Sequence, residues 1–229
     1  MRNRGHFNIN RFILPAVLIL IVLTSAGEGA GKVNIKLDNK KLEAGELQVF
    51  QQEFAITGGG RKKRVIGVML YNAPPDRLWS VLKDWSATPK FVPAIKYYKT
   101  KHIVKPLAKG GKGESIIEGS MKVAFLDIVY TLDVKFDDPG RMHSWRMLKD
   151  AEIAAYRAGG IALADNSSTL NAVEGFGYVE SYDEGRKSVY YYAPVVEVSV
   201  PVPAYVERSL VKSSLNDYMN GLKRMVEGK

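Results

Sequence analysis

From Leu126 to Asp137 the chain alternates without a break. Leu126, Ile128, Tyr130, Leu132, Val134 and Phe136 take one set of positions, and Asp127, Val129, Thr131, Asp133, Lys135 and Asp137 take the other. Successive strand residues point to opposite faces, and five of the six intervening residues are polar. The pattern therefore predicts one buried and one wet face, as in an antiparallel sheet, rather than a parallel sheet covered on both sides. Asp137-Asp138-Pro139-Gly140 reads as a turn, with Met142 to Leu148 as the returning strand. Leu170 to Tyr182 and Lys187 to Val200 make a further hairpin across Asp183-Glu184-Gly185-Arg186. Such neighbours form a meander. Between them, Ala151 to Ala158 reads as one helical turn or two before Gly159-Gly160.

The period changes twice. Val65 to Tyr71 is an apolar strand-like run, and at Asn72-Ala73-Pro74-Pro75 either Asn72 or Ala73 can cap a helix with a proline in its first turn. Leu78, Val81, Leu82 and Trp85 then keep a three-and-four spacing, which predicts a short amphipathic helix. Pro89 and Pro93 break a second one around Phe91, and strands resume at Ile95, with Lys109 to Gly113 as a turn before Glu114 to Val123. Beyond Pro201 and Pro203, Val206, Leu210, Val211, Ser214, Leu215, Tyr218, Leu222, Met225 and Val226 fall on one helical face. That final helix runs for about 23 residues, roughly 34 Å, and must lie across the sheet.

The N-terminal part reads differently. Arg2, Arg4 and Arg11 precede an apolar run of 12 residues, Phe12 to Leu23, and Thr24-Ser25-Ala26 offers small residues for cleavage. Residues 1–26 are therefore read as a secretory signal and the chain as exported and periplasmic. The run falls short of the roughly 20 residues that span a bilayer, which favours cleavage over the alternative, an uncleaved anchor. Losing three arginines lowers the formal charge from +9 to +6 and weakens any nucleic-acid footprint. Residues 27–63 are a polar, glycine-spotted leader with one strand at Leu47 to Phe54. Arg61, Lys62, Lys63 and Arg64 after Gly58-Gly59-Gly60 read first as a solvated turn, with transient contact to an anionic membrane surface as the alternative. The absence of cysteine excludes disulfides, thiolate metal sites and cysteine nucleophiles.

Ala73-Pro74, Leu78-Trp79, Asp84, Pro89, Phe91 and Pro93 carry a resemblance. They stand where the SRPBCC superfamily, which includes START-like lipid-binding, polyketide cyclase and coenzyme Q-binding proteins, has an Ala-Pro-x-x-x-Val-Trp helix, an acidic residue and a Pro-hydrophobic-Pro element, with Leu78 replacing the usual Val. The closing hairpin and long helix resemble the same family, so residues 64–229 are identified as a START-like domain. The resemblance implies an α+β helix-grip fold: a curved antiparallel sheet wrapped around the C-terminal helix, with two short helices after the first strand. It also implies an apolar ligand between helix and sheet. The cavity would be lined by Tyr130, Leu132, Val134, Trp145, Tyr191, Leu215, Tyr218, Met219 and Leu222, with Met219 adaptable to varied ligands.

Chemistry is sparse. His143 shares a strand face with Trp145 and is the one weak candidate for a base in the cavity. No metal site, cofactor or nucleotide loop is expected: His102 and His143 are the histidines after position 26, and the glycines at 58–60 and 110–113 open no helix with Lys-Ser or Lys-Thr. Lys96 to His102 interleaves bases with aromatics, which on a strand puts apolar groups inward and lysines outward, and nucleic acid is not the expected partner. The sequence thus points to non-enzymatic binding, for transport or storage, of a lipid, isoprenoid or quinone-like molecule. A polyketide cyclase or dehydratase-like enzyme is the rival reading, and a partner-binding module on a membrane-bound assembly a third. The oligomeric state is not legible.

Overall fold

The computed structural model describes residues 32–55, 60–123, 126–199 and 204–228, with the backbone alone at 55, 123, 126 and 204–212. Residues 1–26 (expected to be a secretory signal), Gly58, Gly59, Val200, Pro201 and Pro203 lie outside the described residues, as do the side chains of Leu126, Val206, Leu210 and Val211. Eight strands form one antiparallel sheet: β1 (Gln48–Ala55), β2 (Arg61–Tyr71), β3 (Ile95–Lys105), β4 (Lys112–Val123), β5 (Leu126–Asp137), β6 (Met142–Met147), β7 (Leu170–Tyr182) and β8 (Lys187–Val198). Their order is β1-β2-β8-β7-β6-β5-β4-β3. β3 to β8 are a meander, and β2 joins its far side against β8, so the chain crosses the whole sheet between β2 and β3. The crossing is made by α2 (Pro75–Lys83) and a 3-10 turn, Trp85–Lys90, the second short helix of the sequence reading.

The helix of the final segment, here α4 (Ala204–Glu227), closes the α+β helix-grip arrangement. Leu215, Met219, Leu222 and Val226 are at most 2% exposed and belong to the main core, with β2, β5, β7 and α2. Gly221 sits where α4 meets the loop after the 3-10 turn, and a Cβ there would run into the carbonyl oxygen of Phe91. At the start of α2 the expected side-chain cap is absent: Pro74 holds the cap position, Pro75 the first turn, and the Asn72 backbone N–H donates instead to the Glu227 carboxylate at 2.9 Å. The crossing helix and α4 are thereby tied at their ends.

The sheet's other face is not wet. Residues of the leader, Val33, Ile35 and Leu37, together with Leu42 of α1 (Asn39–Glu43), cover Ile66, Val68, Leu70, Phe176, Tyr178, Val189 and Tyr191. Further along, α3 (Asp150–Ala158), two and a half turns long, and Leu163 cover Ile116 and Leu148. Asp133, expected among solvated carboxylates with Asp127 and Asp137, is only 4% exposed, and Thr131 is fully buried. Burial raises the Asp133 pKa, against the opposing pull of Lys135 and Arg146. Glu152 closes the first turn of α3 by accepting from Lys149 N–H at 2.8 Å and pairs with Arg146 through both carboxylate oxygens.

The basic quartet is the opening of β2, not a turn. Lys62 pairs with Glu197 at 2.6 Å, Arg61 and Lys63 with Glu53 at 3.4 and 3.9 Å, and Arg64 lies over the Phe54 and Phe176 rings.

In a free helix Gly→Ala stabilises by up to about 1 kcal/mol. Gly221→Ala is expected to do the reverse, costing about 2–3 kcal/mol through the Phe91 clash and lowering the thermal midpoint by roughly 5–10 °C. A midpoint at or above that of the wild type would show that α4 does not approach this closely.

Candidate functional site

The concave face is built by pairing rings with missing side chains. An added Cβ at Gly119 would fall 2.5 Å from Tyr98 and 2.9 Å from Tyr130, at Gly175 2.5 Å from Trp145, and at Gly177 2.6 Å from His143 Nε2 and hard against the Tyr190 hydroxyl. At Gly67 it would meet Leu215 of α4 at 2.9 Å. The rings stand on these bare strand positions and stack sideways. Tyr192 lies against Tyr218 with centroids 4.3 Å apart and against Trp145 at 5.5 Å, while Trp85 meets Tyr98, Trp145 and His143 edge-on at 5.0, 5.7 and 6.0 Å.

Polar atoms inside this cluster are few. Tyr71 donates to the Met219 carbonyl at 3.1 Å, and the hydroxyls of Tyr98 and Tyr130 are 2.9 Å apart. His143 Nε2 lies 2.9 Å from the Tyr190 hydroxyl, whereas His143 Nδ1 and Trp85 Nε1 are buried without a partner among the described residues. Burial keeps the hydroxyls of Tyr71, Tyr98, Tyr190 and Tyr192 well above the ordinary phenol range and pushes Tyr218 up to about 12. Burial also lowers the His143 pKa to about 3, so protonating it at pH 7 costs on the order of 5 kcal/mol. The imidazole is neutral and a poor base. It acts as a hydrogen-bonding ring in an aromatic cage.

Of the residues expected to line the cavity, Tyr130, Leu132, Val134, Trp145, Leu215, Tyr218, Met219 and Leu222 come together on this face. Tyr191 does not. It projects from the opposite face, stacked on Tyr178 at 4.5 Å beneath the leader. Its neighbours Tyr190 and Tyr192 face α4. Trp79, Trp85, Tyr98 and Tyr190 belong to or pack against the same cluster and were not among the expected residues. The parity signal was present, because Tyr191 shares a face with Glu197 in an unbroken strand.

The face opens at one end. β6 pairs with β7 only from Met142↔Tyr178 to Arg146↔Glu174, after which the strands part. The edge of β5 is taken up by Asn166, which accepts from Thr131 N–H at 2.8 Å, and by Ser167, which exchanges bonds with the Val129 backbone. The fork leaves a cleft of about 520 Å³ lined by Met147, Leu170 and Val173, which also belong to or pack against the main core, and by Arg146, Lys149, Asn166 and Asn171 at its polar rim. Beside it, strand alternation places Val196 and Val198 on the concave face, where they are 51% and 40% exposed, and farther off Val49 of β1, opposite Gly67, is 42% exposed.

The architecture has counterparts among solved structures. A START superfamily protein from Mycobacterium smegmatis superposes with a TM-score of 0.53 at 16% identity, covering 72% of this chain and 97% of its own. The Zhui aromatase/cyclase from Streptomyces sp. R1128 gives 0.53 at 11% identity, covering 80% and 94%. A protein from Thermus thermophilus gives 0.51 at 13%, covering 72% and 97%. The chain has the START-like helix-grip fold. At these identities the likeness is one of fold. No protein-family model and no curated protein matches the sequence.

The neutral state of His143 has a pH signature. Unfolded, the ring titrates near 6.5, and folded near 3. Between those values the unfolded chain holds the extra proton, so this contribution is complete above pH 6.5 and is lost as pH falls toward 3. Thermal midpoints measured from pH 7 to pH 4 should fall more steeply for the wild type than for His143→Gln. Parallel curves would remove His143 as the cause.

Proposed function

We propose that the chain binds a hydrophobic small molecule on the concave face and carries or stores it without chemical change. The observation that supports this most directly is the exposed apolar surface at Val196 and Val198, which pair across the sheet with Val173 and Leu170 of the cleft. Isolated exposed aliphatics are ordinary on a protein surface, but a row on the inward face of a sheet is a lip for an apolar ligand. The cleft volume falls in the range of small-molecule sites. A tail of about 12 methylenes entering there gains at most about 10 kcal/mol gross, before ordering costs. The fold neighbours include a START superfamily protein and an aromatase/cyclase, which supports a small-molecule role of one kind or the other. The low basicity of His143 favours the carrier. Export to the periplasm belongs to the same proposal and rests on residues 1–26 alone.

Mass spectrometry of the organic extract from natively purified protein tests the reading. A lipid, isoprenoid or quinone-like cargo near one per chain is expected, reduced at least tenfold in Val196→Asp/Val198→Asp. An empty extract from gently isolated wild type, or equal cargo in the variant, would refute it. Conversion of a poly-β-carbonyl chain, abolished in His143→Ala, would establish the enzyme instead.

A further inference from the structure

Residues 85–113 contain seven lysines and no acidic residue. The stretch folds as the 3-10 turn, β3 and the β3–β4 connection. Among the described residues β3 pairs only with β4, so the charge gathers along an open edge of the sheet. Lys96, Lys101 and Lys112 are answered by Asp127, Glu118 and Asp137 at 2.6, 3.5 and 3.4 Å. Lys105 and Lys109 are exposed and have no ion pair among the described residues. Along this stretch β3 shifts register three times, at Ile95/Tyr97, Thr100/His102 and Ile103/Lys105. There Ile103 is 56% and Val104 43% exposed.

The tip that carries them is held in place. Leu107 packs over Gly113, where a Cβ would meet it at 2.7 Å. Asp138 accepts from the Gly110 N–H at 2.8 Å while its own N–H donates to the Gly111 carbonyl at 2.9 Å. Its other oxygen takes Lys83 at 2.8 Å and the Trp79 indole at 2.7 Å. Two exposed aliphatics beside unanswered lysines on an anchored tip are therefore a fixed surface. Its chemistry matches an anionic bilayer: aliphatic side chains enter the acyl boundary while ammonium groups meet headgroups. Nucleic acid fits less well, because stacking needs exposed rings, and here Tyr97 is engaged by Glu118 and Lys99 while Tyr98 packs in the core.

We infer that the β3–β4 tip docks the protein on an anionic lipid bilayer, with Ile103 and Val104 inserted and Lys105 and Lys109 on the headgroups. This contact does not depend on the cavity, and protein stripped of any cargo makes it too. The test is pelleting of delipidated full chain with phosphatidylcholine vesicles, with and without phosphatidylglycerol, folding being checked by circular dichroism. Wild type should pellet only with the anionic vesicles and be released by salt. Lys105→Gln/Lys109→Gln should weaken partitioning roughly 25-fold, at about fivefold per charge. Ile103→Ser/Val104→Ser should weaken it roughly tenfold or more. Arg61→Gln/Lys63→Gln, at the far end of the sheet order, should leave it unchanged. Wild type left in the supernatant, tip variants that pellet like wild type, or an equal loss in the control would overturn the inference. So would binding to duplex DNA, sensitive to the same tip variants, without vesicle binding.

Discussion

A curved sheet can hold large aromatic rings on its inner face only if the neighbouring strands leave them room. Here that room comes from Gly67, Gly119, Gly175 and Gly177, all on the concave face and each within van der Waals contact of a ring or of α4. Glycine in a strand is ordinarily a loss, in entropy and in packing. At these positions the loss is offset by the burial of Trp145, Tyr190, Tyr130 and the helix residue Leu215. The cage around His143 follows from the same arrangement, since its ring rests over Gly177 and is enclosed by Trp79, Trp85 and Trp145. Burial then fixes its charge. The inner surface is consequently apolar in shape, with a few hydroxyls and two unanswered ring nitrogens, and its chemical character derives from packing rather than from acid and base groups.

Much of this was readable in the sequence where one side of an element faces solvent or a single partner. The strand from Leu126 and the face of α4 through Leu215, Tyr218, Leu222 and Val226 keep their periods because only one side is apolar. The reading failed where both sides are covered. In β8, Tyr190, Tyr191 and Tyr192 are all rings because the leader lies over one face and α4 over the other, so the rings themselves do not alternate and only Glu197, farther along, marks the outer face. Asp133 failed for the converse reason. Its strand alternates correctly, but α3, ambiguous in sequence, turns the polar side into a buried one. The glycines were silent as well, because a contact made by an absent side chain has no local pattern.

Charge shows the same dependence on what lies across the sheet. The run at residues 61–64 is the densest cluster of positive charge along the chain, yet β1 and β8 bring Glu53 and Glu197 against it. The lysines from β3 onward are sparser in sequence, but β3 is an edge among the described strands, so carboxylates reach them from one side only: Lys96, Lys101 and Lys112 are paired, while Lys105 and Lys109 have no ion pair among the described residues. Net charge and local density are therefore poor guides to where a field reaches solvent, and the position of a strand in the sheet order decides it.

The sheet has two halves with separate coverings. The leader and α1 back β2, β8 and β7, while α3 and the segment after it back β4, β5 and β6. The halves are joined by the β6–β7 ladder, which ends at Arg146↔Glu174 while its neighbours run on. In mechanical terms this ladder is a crease. Met142 of β6 packs against the outer core of β7 and β8 at one end of this ladder, so the join is least held toward its forked end. Under load the crease would therefore open from its forked end, beyond Arg146↔Glu174, while the Met142↔Tyr178 end stays held.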